Sequence, residues 1–122
     1  MRFSGEQFEE FNRIAAREDD RLFAARLRAY RPNLTNHLSD RALVDEVKTA
    51  REAAVETGLR NTGLRARFVM IHVLLTPYFW SESEAHAMLY AATGTPDIRF
   101  GDVCALIRLA AAEAGCSEEI WW

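Results

Sequence analysis

Arg67-Phe68-Val69-Met70-Ile71-His72-Val73-Leu74-Leu75-Thr76-Pro77-Tyr78-Phe79-Trp80 is an apolar segment that runs into a proline and then into three consecutive aromatic side chains. A helix-length run that is apolar on several faces belongs inside a protein, and a proline, which lacks an N–H and clashes with the preceding turn, ends it. The segment reads as the central helix of an all-α core followed by an aromatic corner. No strand signal competes with it, because the sequence has no alternating runs joined by turns of the Asn-Gly type.

The flanking sequence is dense in helix starts and stops. Ser4 followed by Gln7 spells a capping box, with Phe3 and Phe8 as its hydrophobic staple, so a first helix starts at Gly5. Phe8, Phe11, Ile14, Ala15, Leu22, Leu27 and Tyr30 recur near helical spacing, which predicts one long element ending near Arg31-Pro32, kinked at Asp19-Asp20. Residues 32 to 38, with Pro32, Asn33, Asn36 and His37, read as a turn-rich connection. A second helix begins after Ser39 and carries the stripe Leu43, Val44, Val47, Ala50 and Ala54 to a cap at Gly58. The central helix is the third, over roughly 64 to 75. Ser81 and Glu84 form another capping box, launching a fourth helix through Ala85, Met88, Leu89 and Ala92 to Thr93-Gly94. Thr95-Pro96 starts a fifth, over about 96 to 114, irregular at Gly101 and stopped by Gly115. The predicted architecture is one all-α domain over residues 1–122, a compact irregular bundle of about five helices with a short tail at 116–122. Its expected core is Phe8, Leu22, Leu43, Val47, Phe68, Ile71, Leu75, Leu89, Val103, Leu106 and Ile107.

Composition narrows the function classes. A chain of 122 residues, 49% of them hydrophobic, suffices for one packed core. The longest apolar run, Phe68 to Leu75, carries His72 and falls short of the roughly 20 residues of a membrane span. Met1-Arg2-Phe3-Ser4 leads into glutamates rather than into a signal peptide, so a cytoplasmic protein is expected, without membrane contact. The net charge of −3 offers no field for a phosphate backbone, and Arg17, Arg21, Arg26, Arg28 and Arg31 do not share one helix face, so no nucleic-acid partner is expected. All but one of the 15 cationic side chains are arginine. Carboxylate recognition by the planar guanidinium fork and a GC-rich coding bias both account for that skew. Cys104 and Cys116 belong to no CxxC pair and read as reduced, structurally incidental thiols.

Nothing in the chain has the residue types and spacing of a chemical step. His37, His72 and His86 are the only imidazoles, and Glu82 with His86 supplies two metal ligands where three or four must converge. His72, inside the apolar helix, reads as a hydrogen-bonded core residue. There is no nucleophile elbow of the Gly-x-Ser-x-Gly kind, and the six glycines form no phosphate-binding loop. A chain without catalytic residues, metal or cofactor is expected.

The aromatic side chains remain. Tyr78-Phe79-Trp80 cannot all turn inward from one corner, and Trp121-Trp122 closes the sequence with no following residues to cover it. Tyrosine and tryptophan anchor protein interfaces because they bury much area at small entropic cost. The predicted partner-binding surface is edged by Tyr78, Trp80, Trp121 and Trp122, with Arg67 or Arg60 supplying a rim ion pair. The competing expectation is structural: the corner plugs the end of the bundle and the tail folds back on it.

Met1-Arg2-Phe3 with Gln7 and Phe8, Leu27-Arg28 and Pro32, Leu38-Ser39-Asp40 with Leu43 and Val47, Gly58-Leu59, Arg67-Phe68-Val69 and Pro77-Tyr78-Phe79-Trp80 together resemble a family of small helical proteins. That family is encoded in bacterial type VI secretion effector clusters, near spike proteins, PAAR tip proteins and effector chaperones. The resemblance covers roughly residues 1 to 90 and carries over no catalytic residue. It implies an accessory that acts by binding, a co-chaperone or adaptor whose partner is an effector, an effector chaperone or a spike or PAAR component. The alternative it leaves is an immunity protein that masks a toxin, and self-association into a homo-oligomer stays open.

Overall fold

Ser4 and Gln7 cap the first helix reciprocally: the Ser4 N–H donates to Gln7 Oε1 at 2.9 Å and the Gln7 N–H to Ser4 Oγ at 3.1 Å. The Phe3 ring meets Phe8 edge-on, with centroids 5.7 Å apart, as a staple does. These contacts open α1 (Gly5–Ala16) in a computed structural model that describes residues 2–116 and 121–122.

The long first helix expected to reach Arg31 is in fact two. Glu18 turns into the left-handed region with φ 54, and Asp19 restarts the chain by accepting the Leu22 N–H at 3.0 Å, opening α2 (Asp20–Tyr30). An aspartate gains more as an N-cap than inside a helix, so this pair breaks the element rather than bending it. Pro32 then initiates a single turn, α3 (Pro32–Thr35), inside the stretch expected to be only a connection. Ser39 caps α4 (Asp40–Glu56) as expected, and Gly58 leaves it at φ 88. The positive φ at Gly58 favours glycine, and a Cβ there would also press on the Pro96 ring, 3.2 Å from its Cγ.

Asn61 caps α5 (Thr62–Leu74) through the Leu64 N–H. Ala66, Phe68, Val69, Met70, Ile71, His72 and Leu74 are buried along it, which makes it the central helix as predicted. At the corner the expected Ser81–Glu84 box does not form. Ser81 Oγ donates instead to the Tyr78 carbonyl at 2.7 Å, residues Phe79–Ser81 make one 3₁₀ turn, and Glu82 becomes the N-cap of α6 (Ser83–Leu89) by accepting the Glu84 and Ala85 N–H groups. Thr95 and Pro96 start α7 (Pro96–Glu113), which runs unbroken through Gly101. The described residues thus form seven α-helices and no strand, where about five helices were expected. Of the tail expected over 116–122, residues 117–120 lie outside the described residues.

α5 packs between α1 and α4, α4 packs on α2, and α6 packs on α7. α7 reaches the core through Phe100, Val103 and Cys104 while Ile98 and Leu109 stay exposed. Leu43, Val47, Phe68, Ile71, Leu89 and Val103 are buried as expected, whereas Phe8, Leu22, Leu75, Leu106 and Ile107 are only half-buried. The break at Glu18 resets the register of α2, so Phe23 and Leu27 face inward and Leu22 moves to the edge. Arg51 ties α4 to α2 by donating from Nε and Nη2 to the two Asp20 oxygens at 2.8 and 2.9 Å. No helix among the described residues is long and apolar enough to cross a membrane.

Candidate functional site

A buried histidine organises the aromatic corner. His72 is 1% exposed, and the Tyr78 backbone N–H donates to its Nδ1 at 2.8 Å. With Nδ1 accepting, the ring proton sits on Nε2, which donates to Glu46 Oε2 at 2.6 Å. The other carboxylate oxygen, Glu46 Oε1, accepts the Tyr78 hydroxyl at 3.1 Å. One carboxylate from α4 and one imidazole from α5 therefore hold both ends of Tyr78. Their grip keeps a non-glycine residue in the left-handed region, at φ 54.

The electrostatics follow from burial. Removal from water pushes the His72 pKa below the ordinary histidine value, with Glu46 pulling the other way. The hydrogen bond to Glu46 raises the Tyr78 phenol. Both nitrogens of His72 are engaged, so the imidazole has no free lone pair for a proton transfer or a metal. Burial pushes the Cys104 thiol up to about 11, which keeps it protonated near neutral pH. Among the described residues no three His, Cys, Asp or Glu side chains converge as a metal site would need.

What the corner presents is aromatic surface. Trp80 is half-buried, stacked on Phe68 with centroids 5.3 Å apart and set against His72 at 4.8 Å. Tyr78 stands beside it, 45% exposed. Phe79 turns inward onto Phe68 and Phe100. The sequence reading placed Tyr78 and Trp80 together, and the structure does so.

Trp121 and Trp122 form a second cluster on different neighbours. Trp121 is buried, 4% exposed, with its ring edge-on to Phe3 at 6.2 Å. This corrects the expectation of an uncovered side chain, and the reason is Phe3, whose staple position leaves a ring face for the tail. Trp122 packs on Trp121 and is half-buried, with the guanidinium groups of Arg67 and Arg108 at 6.0 and 5.5 Å from its ring. Arg67 therefore meets the tail through a cation–π contact. Arg60 is exposed in the link between α4 and α5 and makes no ion pair among the described residues. Both indole N–H groups are buried and have no acceptor among the described residues. Beside the tail, a groove opens between the starts of α1 and α5, lined by Arg2, Asn12, Asn61, Leu64 and Arg67.

Glu46, Phe3 and Arg108 were absent from the residues predicted for the site. Glu46 lies 26 positions from His72, so no local pattern links the two. Phe3 was read as a staple alone, and nothing in the periodicity of α7 distinguishes Arg108. No protein-family model, no curated protein and no solved structure matches the chain.

Proposed function

We propose that this chain is a non-catalytic protein-binding accessory, resembling the co-chaperones and adaptors of type VI secretion effectors and working in the cytoplasm. The observation that carries this reading is the use made of the buried dyad. Its polar atoms are engaged in holding Tyr78 outward beside Trp80, so a buried polar network builds an aromatic surface. Rigidly held aromatic rings are what interface anchors consist of, since little conformational entropy remains to be lost on binding. Trp122 with Arg67 supplies a second aromatic and cationic patch of the same kind. The proposed partner is an effector, its chaperone, or a spike or PAAR component.

Crosslinked affinity purification from a bacterial host with an active secretion cluster tests it. The wild-type chain should recover one of those components, and Tyr78→Ala should recover severalfold less. Equal recovery with both chains, or recovery of no secretion component, would overturn the reading.

A further inference from the structure

We propose that the aromatic corner receives an arginine side chain of a partner protein, its guanidinium lying on the Tyr78 and Trp80 rings and pairing with the Glu46 carboxylate. The inference rests on the protein-binding reading above and names the chemistry that the partner brings. The decisive group is Glu46. The Tyr78 N–H occupies His72 Nδ1 while Nε2 donates to Glu46, so the imidazole carries one proton and is neutral. Glu46 therefore meets two neutral donors, this ring and the Tyr78 hydroxyl, and neither balances its negative charge. Among the described residues no Lys or Arg pairs with it. Its side chain is 29% exposed, covered enough to weaken screening by salt and open enough to be reached. The complement of such a carboxylate is a cation.

The rings add a second attraction of the same sign. An aromatic face carries the negative part of the ring quadrupole, so it draws a cation as the carboxylate does. Tyr78 and Trp80 stand with centroids 5.4 Å apart and planes inclined at 58°. The Tyr78 hydroxyl bonds to Glu46 Oε1, which sets the exposed ring and the carboxylate within reach of one side chain. That bond and the left-handed backbone hold Tyr78 in place before a partner arrives, and the stack on Phe68 holds Trp80. Little side-chain freedom is then lost on binding. A planar guanidinium suits this pairing better than an ammonium, because its face stacks on a ring while its edge donates to oxygen. Each Glu46 oxygen holds one hydrogen bond from the corner and keeps a lone pair for that edge.

Two-dimensional NMR of the full chain, titrated with the peptide acetyl-Gly-Arg-Gly-Arg-Gly-amide and read at the Trp80 indole and the Tyr78 backbone amide, tests this. Both signals should shift and saturate. The same peptide with citrulline for arginine, which keeps the shape and removes the charge, should leave them unmoved. Glu46→Gln should weaken binding by about threefold or more, as the loss of a charge-assisted bond does. Tyr78→Asn, which tolerates the left-handed turn and removes the ring, should weaken it by about the same factor. Asp97→Asn, at an exposed acid on α7, should change nothing. No shift with the arginine peptide, an equal shift with citrulline, or indifference to Glu46→Gln would overturn the proposal. An equal loss in Asp97→Asn would overturn it too, by showing a diffuse attraction to an acidic chain. Should either corner variant lose helical circular dichroism, the comparison of arginine with citrulline on the wild type decides alone. A wild-type dimer that Glu46→Gln dissociates would seat an arginine of a second copy there and overturn the assignment to a partner. If the peptide fails to bind while Tyr78-dependent recovery of a secretion component persists, the protein-binding reading stands and only the arginine is misassigned.

Discussion

His72 has no room for a second proton. Protonation puts a hydrogen on Nδ1 facing the Tyr78 N–H, which already occupies that lone pair at 2.8 Å. Its pKa in the folded chain lies below the ordinary value of 6.5, so between the two values the unfolded chain binds more protons than the folded one. Stability should be full above about pH 6.5 and fall as the pH drops through that window. Tyr78 and Glu46 are the titratable groups bonded to the ring and its turn. Thermal melts between about pH 7 and 5 should slope for the wild type and flatten for His72→Gln, which carries no titrating ring. The acid-side contributions of Glu10 and Glu82 fall elsewhere. Tyr30 lowers the first and the Ala85 N–H lowers the second, so theirs is present above about pH 4.5 and lost below it. Four positions upstream, Phe68 is 0% exposed and touches Phe79, Trp80 and Phe100. Phe68→Ala should cost about 3–5 kcal/mol in urea unfolding. A change within about 0.5 kcal/mol would mean that α5 is not the central helix.

Helix boundaries were legible wherever the chemistry is local. Ser4 with Gln7, Ser39, Gly58 and Thr95-Pro96 each act within three or four residues, and each stops or starts a helix where the sequence says. Boundaries were misread where two neighbours compete. At 19 and 20 either aspartate can cap, and the left-handed Glu18 decides for a break. At 81 and 82 either Ser or Glu can cap, and the Ser81 hydroxyl is drawn away to the carbonyl of Tyr78. That carbonyl is available because His72 has set the Tyr78 backbone, a tertiary cause that no window of sequence contains. The candidate site divides in the same way: adjacency in the chain put Tyr78 beside Trp80, whereas Glu46 against His72 and Phe3 against Trp121 depend on how helices meet. If Asp19 is a true cap, Asp19→Ala should destabilise the fold by about 1 kcal/mol, and Asp19→Asn by far less. Equal losses in chemical denaturation would assign the effect to charge rather than to the cap.

At the scale of the whole molecule the helices are unevenly supported. α5 is enclosed by α1 and α4, while α7 leaves Ile98 59% and Leu109 58% exposed on its far side. A charge at such a position touches nothing in the fold, so Leu109→Glu should shift unfolding by less than about 0.5 kcal/mol. A larger loss, dependent on protein concentration, would reveal a second copy covering that face.

The seam between the α6–α7 pair and the other helices also divides the molecule in time. A helix pair that rests mainly on itself and meets the remainder through a few apolar side chains can part from it without unfolding the rest. Deuterium should therefore reach the amides of α7 well before those of α5, in bursts shared with α6, when exchange is followed by mass spectrometry. Toward its end this pair is restrained by the Trp122 ring against Arg108. Lifting that ring should quicken exchange in the last turns of α7 and leave α5 untouched, so the solvent clock of one helix would report whether the tail is seated.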